Sequence, residues 1–159
     1  MSDPQGNFNT LEQPQIELRC RLDGSMLGLL REFVCTVARH LCFPEPQVAE
    51  IEICVDEACA NVVEHAYSNK RPAGPKMNDL LVEIRYSGEQ MVVRIVDHGD
   101  GNVPKYPSPL KSVEDYADNT RERFRGLGFL LMEKFMDRVD VHCAPGGGTT
   151  VELMKIRQK

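Results

Sequence analysis

Residues 16–22 alternate apolar and polar, with Ile16, Leu18, Cys20 and Leu22 on one side, and this period of two predicts a β-strand. Asp23-Gly24 then supplies a turn and Ser25 an N-cap. Over residues 26–41 the apolar positions Met26, Leu29, Leu30, Phe33, Val34, Val37 and Leu41 fall at helical spacing. Pro44 and Pro46 interrupt the chain, and a second helix is expected over 47–67. Val48, Ile51, Val55, Cys59 and Val62 form its apolar face, while Glu57, Asn61 and His65 recur every four residues on another. Residues 68–78 read as a loop. Two β-rich runs, 80–86 and 91–97, flank Ser87-Gly88-Glu89-Gln90 and predict a hairpin.

Residues 99–125 are charged, weakly periodic and contain Pro104, Pro107 and Pro109; a stretch of this kind inside a domain is characteristically a functional lid. Gly126-Leu127-Gly128 is expected to open a helix over 129–136. Residues 138–143 and 149–156 alternate as strands joined through 144–148. Strand, two helices, strand pair, loop, helix and strand pair predict an α+β fold. It would be a two-layer sandwich, with a mostly antiparallel sheet carrying its helices on one face. Residues 1–15 read as a flexible polar tail and 16–159 as one domain.

Composition narrows the function. A chain of 159 residues with 42% apolar content fits one domain with a real core. Its formal net charge of -5 argues against a nucleic-acid binder, which needs a basic surface. No run approaches the roughly 20 apolar residues of a membrane span, and residues 1–15 hold no apolar signal region, so a cytoplasmic protein is expected. The six cysteines form no C-x-x-C pair and read as reduced thiols; the four histidines lie in four separate segments.

Four segments can carry chemistry. Glu57 and Asn61 sit one helical turn apart, a carboxylate that can take a proton and an amide oxygen that can ligate Mg²⁺. The same pair also fits an ordinary polar stripe on an amphipathic helix. Asp97-His98-Gly99-Asp100-Gly101 follows a buried-type strand. Its carboxylate can accept from an exocyclic amine such as that of adenine, and its glycines let the backbone approach a ligand. A plain strand-end turn has the same composition. Gly126-Leu127-Gly128 at a helix start suits phosphate, although a flexible lead into a helix would look alike. It is neither a Walker A loop nor a dinucleotide fingerprint. Gly146-Gly147-Gly148-Thr149-Thr150 suits a hairpin loop. Arg121, Arg123 and Arg125 could neutralise a triphosphate or simply form a solvated stretch, and His65 could assist at the site or simply be a hydrogen-bonded helix-end histidine.

Together and in this order the four segments resemble the GHKL ATPases, the histidine-kinase-like (Bergerat) ATP-binding fold. Residues 57–67 look like the N box, Asp97-x-Gly99-x-Gly101 like the first glycine box, Gly126-x-Gly128 like the second, and Gly148-Thr149 like the terminal Gly-Thr element. Within that superfamily the chain is most similar to anti-sigma factor serine-protein kinases of bacterial stress and sporulation switches. Asp-Glu-Ala-Cys-Ala-Asn-Val-Val-Glu-His-Ala-Tyr and Gly-Leu-Gly-Phe-Leu-Leu-Met carry that likeness, as does the short single domain.

The resemblance implies ATP and Mg²⁺ as ligands and assigns roles. Glu57 would be the general base toward a serine hydroxyl and Asn61 would hold Mg²⁺. Asp97 would read adenine, with Gly99 and Gly101 giving the backbone room. Arg125, Gly126, Gly128 and the preceding lid would enclose the phosphates, and Thr149 would support the adenine end. The implied partners are a STAS-type anti-anti-sigma factor, which is phosphorylated, a sigma factor, which is sequestered, and a second copy in a homodimer. Two other functions stay open: a non-catalytic partner-switch module of the same fold, and a stand-alone signalling kinase not tied to a sigma factor.

Overall fold

The alternating runs pair into one sheet. In the computed structural model, which describes residues 13–21, 24–66, 79–98, 124–144 and 148–159, the strands are β1 (Ile16–Arg21), β2 (Asp79–Ser87), β3 (Gln90–Asp97), β4 (Arg138–Cys143) and β5 (Thr149–Ile156). Their order is β1-β2-β3-β5-β4, and every neighbouring pair is antiparallel. Among the described residues the helices are α1 (Gly24–His40), α2 (Glu45–Ala66) and α3 (Phe124–Phe135). The expected α+β sandwich is therefore present, and α2 lies between α1 and α3 while packing on β3 and β5.

Strand period decides which side chains meet the helices. Leu80, Val82 and Ile84 of β2, Met91, Val93 and Ile95 of β3, and Val151 and Leu153 of β5 are all buried in one cluster with the helices. The opposite sheet face is charged. There Arg94 binds Glu83 at 2.7 Å and Glu152 at 3.3 Å across three adjacent strands.

On α1 the buried stripe is Leu30, Val34 and Ala38, spaced by four. Leu29, expected on the apolar face, is 55% exposed: one residue is a 100° rotation, enough to carry it off the stripe. α1 ends in a Schellman motif, with Phe43 N–H donating to the Ala38 carbonyl and Cys42 N–H to that of Arg39. Cys42 takes the left-handed position there, at φ 61°. Pro44 follows, and its carbonyl accepts from Gln47 and Val48, so the two prolines bracket the start of α2, where a missing N–H costs nothing.

The last strand is clasped to this corner. Gln47 donates to the Ile156 carbonyl and accepts from Gln158 N–H, both at 3.0 Å. Lys155, buried on β5, pairs with Glu50 of α2 at 2.6 Å and donates to the Phe135 carbonyl at the end of α3. Just ahead of β1, Gln15 exchanges side-chain hydrogen bonds with Tyr86 backbone groups at 3.1 Å.

Candidate active site

Asp97 is the last residue of β3 and occupies a helix-facing position of the strand, which buries it to 3% exposure. Because β5 runs antiparallel to β3, the start of β5 lies beside the end of β3. Thr149 N–H donates to Asp97 Oδ2 at 3.2 Å, which orients the carboxylate from the neighbouring strand. Gly148, just before it, is buried at φ +89°. A Cβ there would stand 2.6 Å from the Asp97 carbonyl oxygen, so a bare Cα is what lets the two strand ends close on each other.

α2 brings the carboxylate–amide pair to the same end. Its Gln47 is bonded beside Ile156, at the far end of β5 from Thr149. From Gln47, α2 advances about 15 Å to Glu57 and about 21 Å to Asn61. The β5 path from Ile156 back to Thr149 is about 24 Å. The half-buried Glu57 and Asn61 therefore lie toward the Asp97–Thr149 end of the sandwich.

α3 packs antiparallel to α2 in a regular register. Lys155 joins Glu50 to the Phe135 carbonyl, Cys54 Sγ lies 4.0 Å from the Leu131 carbonyl, and the Glu57 carboxylate lies against Gly128. Each step of three or four residues along α2 is matched by the same step back along α3. Asn61 stands one turn further along α2, and α3 begins at Phe124, one turn back from Gly128.

The second glycine pair sits differently from the sequence expectation. α3 starts at Phe124, so Gly126 and Gly128 lie inside the helix rather than ahead of it. The Gly126 N–H is among the first-turn donors that helical bonding leaves unused; the Gly128 N–H is not. Gly128 instead is buried against α2, and a Cβ on it would overlap Glu57 Oε2 and come within 3.2 Å of Cδ.

Of the expected site residues, the structure thus gathers Glu57, Asn61, Asp97, Gly126, Gly128 and Thr149 at one end of the fold. Gly99 and Gly101, with the expected lid and Arg121 and Arg123, lie outside the described residues, as do the side chains of Arg125 and His65. Sequence reasoning missed that Gly148 and Gly128 each seat a carboxylate-bearing residue. Glycine at those positions was the signal, but its partner depends on strand and helix pairing.

The chemistry of this donor set suits a magnesium nucleotide. Asn61 offers an amide oxygen, the kind of neutral hard donor Mg²⁺ takes alongside phosphate oxygens; among the described residues no group of three His, Cys, Asp or Glu could hold a metal. The nearby thiols are held protonated: burial pushes both Cys54 and Cys59 up to about 12. No described helix is long and apolar enough to cross a membrane.

Comparison with known proteins agrees. The family described as histidine kinase-like ATPase domain matches residues 21–155. An anti-sigma F factor of Anoxybacillus flavithermus is 34% identical over 125 residues, covering 76% of this chain and 79% of that one. A serine-protein kinase RsbW of Bacillus licheniformis is 28% identical over 144 residues, covering 88% and 84%. The fold is shared with a chain of the SiaB–SiaC complex from Pseudomonas aeruginosa, at TM-score 0.62, 12% identity and 89% coverage of both chains. It is also shared with the structure of the RsbU and RsbW domains of Rv1364c from Mycobacterium tuberculosis, at TM-score 0.61 and 15% identity, covering 92% of this chain and 34% of that one. With the family matched over nearly the entire domain and its motif residues converging at one end of the sandwich, this chain belongs to the histidine kinase-like ATPase family, in its anti-sigma factor and serine-protein kinase branch.

Proposed function

We propose that this chain binds Mg·ATP at the Asp97 end of the sandwich and transfers the γ-phosphate to a serine of a STAS-type anti-anti-sigma factor, and that it sequesters a sigma factor. The observation that carries the reading is the convergence of Asp97, Thr149, Glu57, Asn61 and the first turn of α3 at one end of the fold. Relatives named anti-sigma F factor and serine-protein kinase RsbW support the choice of reaction and partners.

In this reading the Asp97 carboxylate, oriented by Thr149 N–H, accepts from the adenine amine. Gly99 and Gly101 give the base room. Gly126 and Arg125, at the start of α3, face the phosphates, where unused N–H groups and the helix dipole favour negative charge. Asn61 offers its amide oxygen to Mg²⁺, which when bound neutralises charge on the phosphate oxygens. Glu57 takes the proton from the serine hydroxyl as its oxygen attacks the γ-phosphorus, the bond to the β-phosphate oxygen breaks, and ADP leaves. Phosphoryl transfer asks mainly for positioning and charge neutralisation, so one base, one metal and a closed site suffice. The protein acts as a homodimer in the cytoplasm.

The test is a thermal-shift titration with Mg·ATP followed by transfer to a STAS-domain partner. Nucleotide at about 100 times its Kd adds roughly 2.7 kcal/mol to stability, and Asp97→Asn should lose that shift. Glu57→Ala should keep the shift and form no phosphoserine. A full shift in Asp97→Asn would sink the adenine assignment. Nucleotide binding by the wild type with no phosphoserine on any STAS partner would instead mark a non-catalytic partner-switch module.

A further inference from the structure

We propose that Gly128 is the positioning residue for the Glu57 carboxylate: its missing side chain forms the seat in α3 against which that carboxylate is held. The proposal rests on the reading of Glu57 as the base.

Three observations carry it. Gly128 is the fifth residue of α3, so its N–H belongs to the helical ladder and points along the helix axis. Its contribution therefore lies in what it lacks. Its Cα is buried against α2, and the position a Cβ would take is overlapped by Glu57 Oε2, with Cδ at 3.2 Å and the Glu57 Cβ at 3.5 Å. Finally, the two helices are tied together on the C-terminal side of this contact along α3. Cys54 meets the Leu131 carbonyl about one turn away, and the Glu50–Lys155–Phe135 clasp pins them a further turn on. A methyl group at position 128 would be accommodated by the carboxylate, which would have to swing away from α3.

A glycine inside a helix is ordinarily a liability, because alanine loses less backbone entropy there. At this position the liability is the function. With the helix spacing set by the Cys54 and Glu50–Lys155–Phe135 contacts, the gap left by one missing methyl defines where the proton-accepting oxygens sit relative to the first turn of α3.

The experiment is a four-protein cycle of wild type, Gly128→Ala, Glu57→Ala and the double variant. It reads melting temperature without nucleotide, ATP affinity, and transfer rate against pH at saturating ATP. In the Glu57→Ala background the overlapping Oε2 and the close Cδ are gone, and the nearest of the remaining position-57 atoms, Cβ, stands at an ordinary contact distance of 3.5 Å. There Gly128→Ala should raise the melting temperature by about 2–4 °C. In the wild-type background the gain should vanish or reverse. Gly128→Ala should also cut transfer by about 100-fold or more while leaving ATP affinity close to wild type, and should flatten the rise of rate with pH that a general base produces. Equal temperature shifts in both backgrounds would overturn the seat. Normal transfer by Glu57→Ala would instead overturn the base, whatever the temperatures do. A Gly128→Ala protein that lost ATP affinity and transfer in proportion would overturn the positioning role in favour of a phosphate contact. The double variant lacks the overlap, so the cycle remains readable even if the single variant folds poorly.

Discussion

Gly148→Ala tests the geometry of the adenine-side carboxylate most directly. Residue 148 holds φ +89°, and placing a side chain in so sparsely populated a region costs about 1–3 kcal/mol. The added Cβ would also stand 2.6 Å from the Asp97 carbonyl oxygen, 0.8 Å inside the 3.4 Å at which ordinary contact begins. That oxygen belongs to backbone at the end of β3, where Asp97 is paired with Leu80, so relief requires moving the strand end. Overpacking of this kind adds about 1–3 kcal/mol. Alanine returns about 0.4–1 kcal/mol by restricting the unfolded chain. The net loss is then about 1–6 kcal/mol, a fall in melting temperature of about 2–22 °C for a domain of this size. The same displacement disturbs the Thr149 N–H bond to Asp97 Oδ2, so ATP affinity falls as well. Calorimetry measures both quantities. Gly28→Ala is the control, because nothing lies within 4 Å of a Cβ on that α1 glycine. It should raise stability by about 0.5–1 kcal/mol. A Gly148→Ala protein that behaved like Gly28→Ala would refute the argument that the bare Cα seats Asp97.

Two further predictions concern the core. Glu50→Ala strips the buried Lys155 ammonium of its ion pair and should cost about 2 kcal/mol, whereas Lys155→Met leaves a Glu50 that is 34% exposed and can be hydrated, costing about half as much; chemical denaturation ranks them, and the reverse order would refute the clasp. Cys54 and Cys59, pushed up to about 12 by burial, should resist alkylation at pH 8 while the exposed Cys42 reacts, as mass spectrometry of the native protein would show. The unfolded chain releases those two protons from about pH 9 and the folded one holds them until about 12, so melting temperature should be indifferent to these thiols below pH 9 and fall as pH rises above it.

Much of the fold was legible in the sequence. The strands over 80–86, 91–97, 138–143 and 149–156 appear within a residue or so of their expected bounds, because alternation of side chains reports a pleated, half-buried surface locally. The α2 stripe was also clear, and with it the fact that Glu57 and Asn61 share a face. The start of α3 was not: Gly126 and Gly128 read as the lead into a helix over 129–136, yet the helix runs through them from Phe124, since packing against α2 outweighs the weak propensity of glycine. Leu29 illustrates the same limit, for helical spacing admits several apolar stripes and only the neighbouring helix selects one.

The sequence by itself determined the local periods, the order of the motif segments and the family they point to. Only the tertiary structure decided that β5 inserts between β3 and β4, which lays Thr149 beside Asp97, and that α2 and α3 run antiparallel in a register that sets Glu57 on Gly128. Periodicity states which face of an element is buried but carries no information about what it is buried against. That choice is made by the pairing of segments distant in the chain, and the site exists only where those pairings meet.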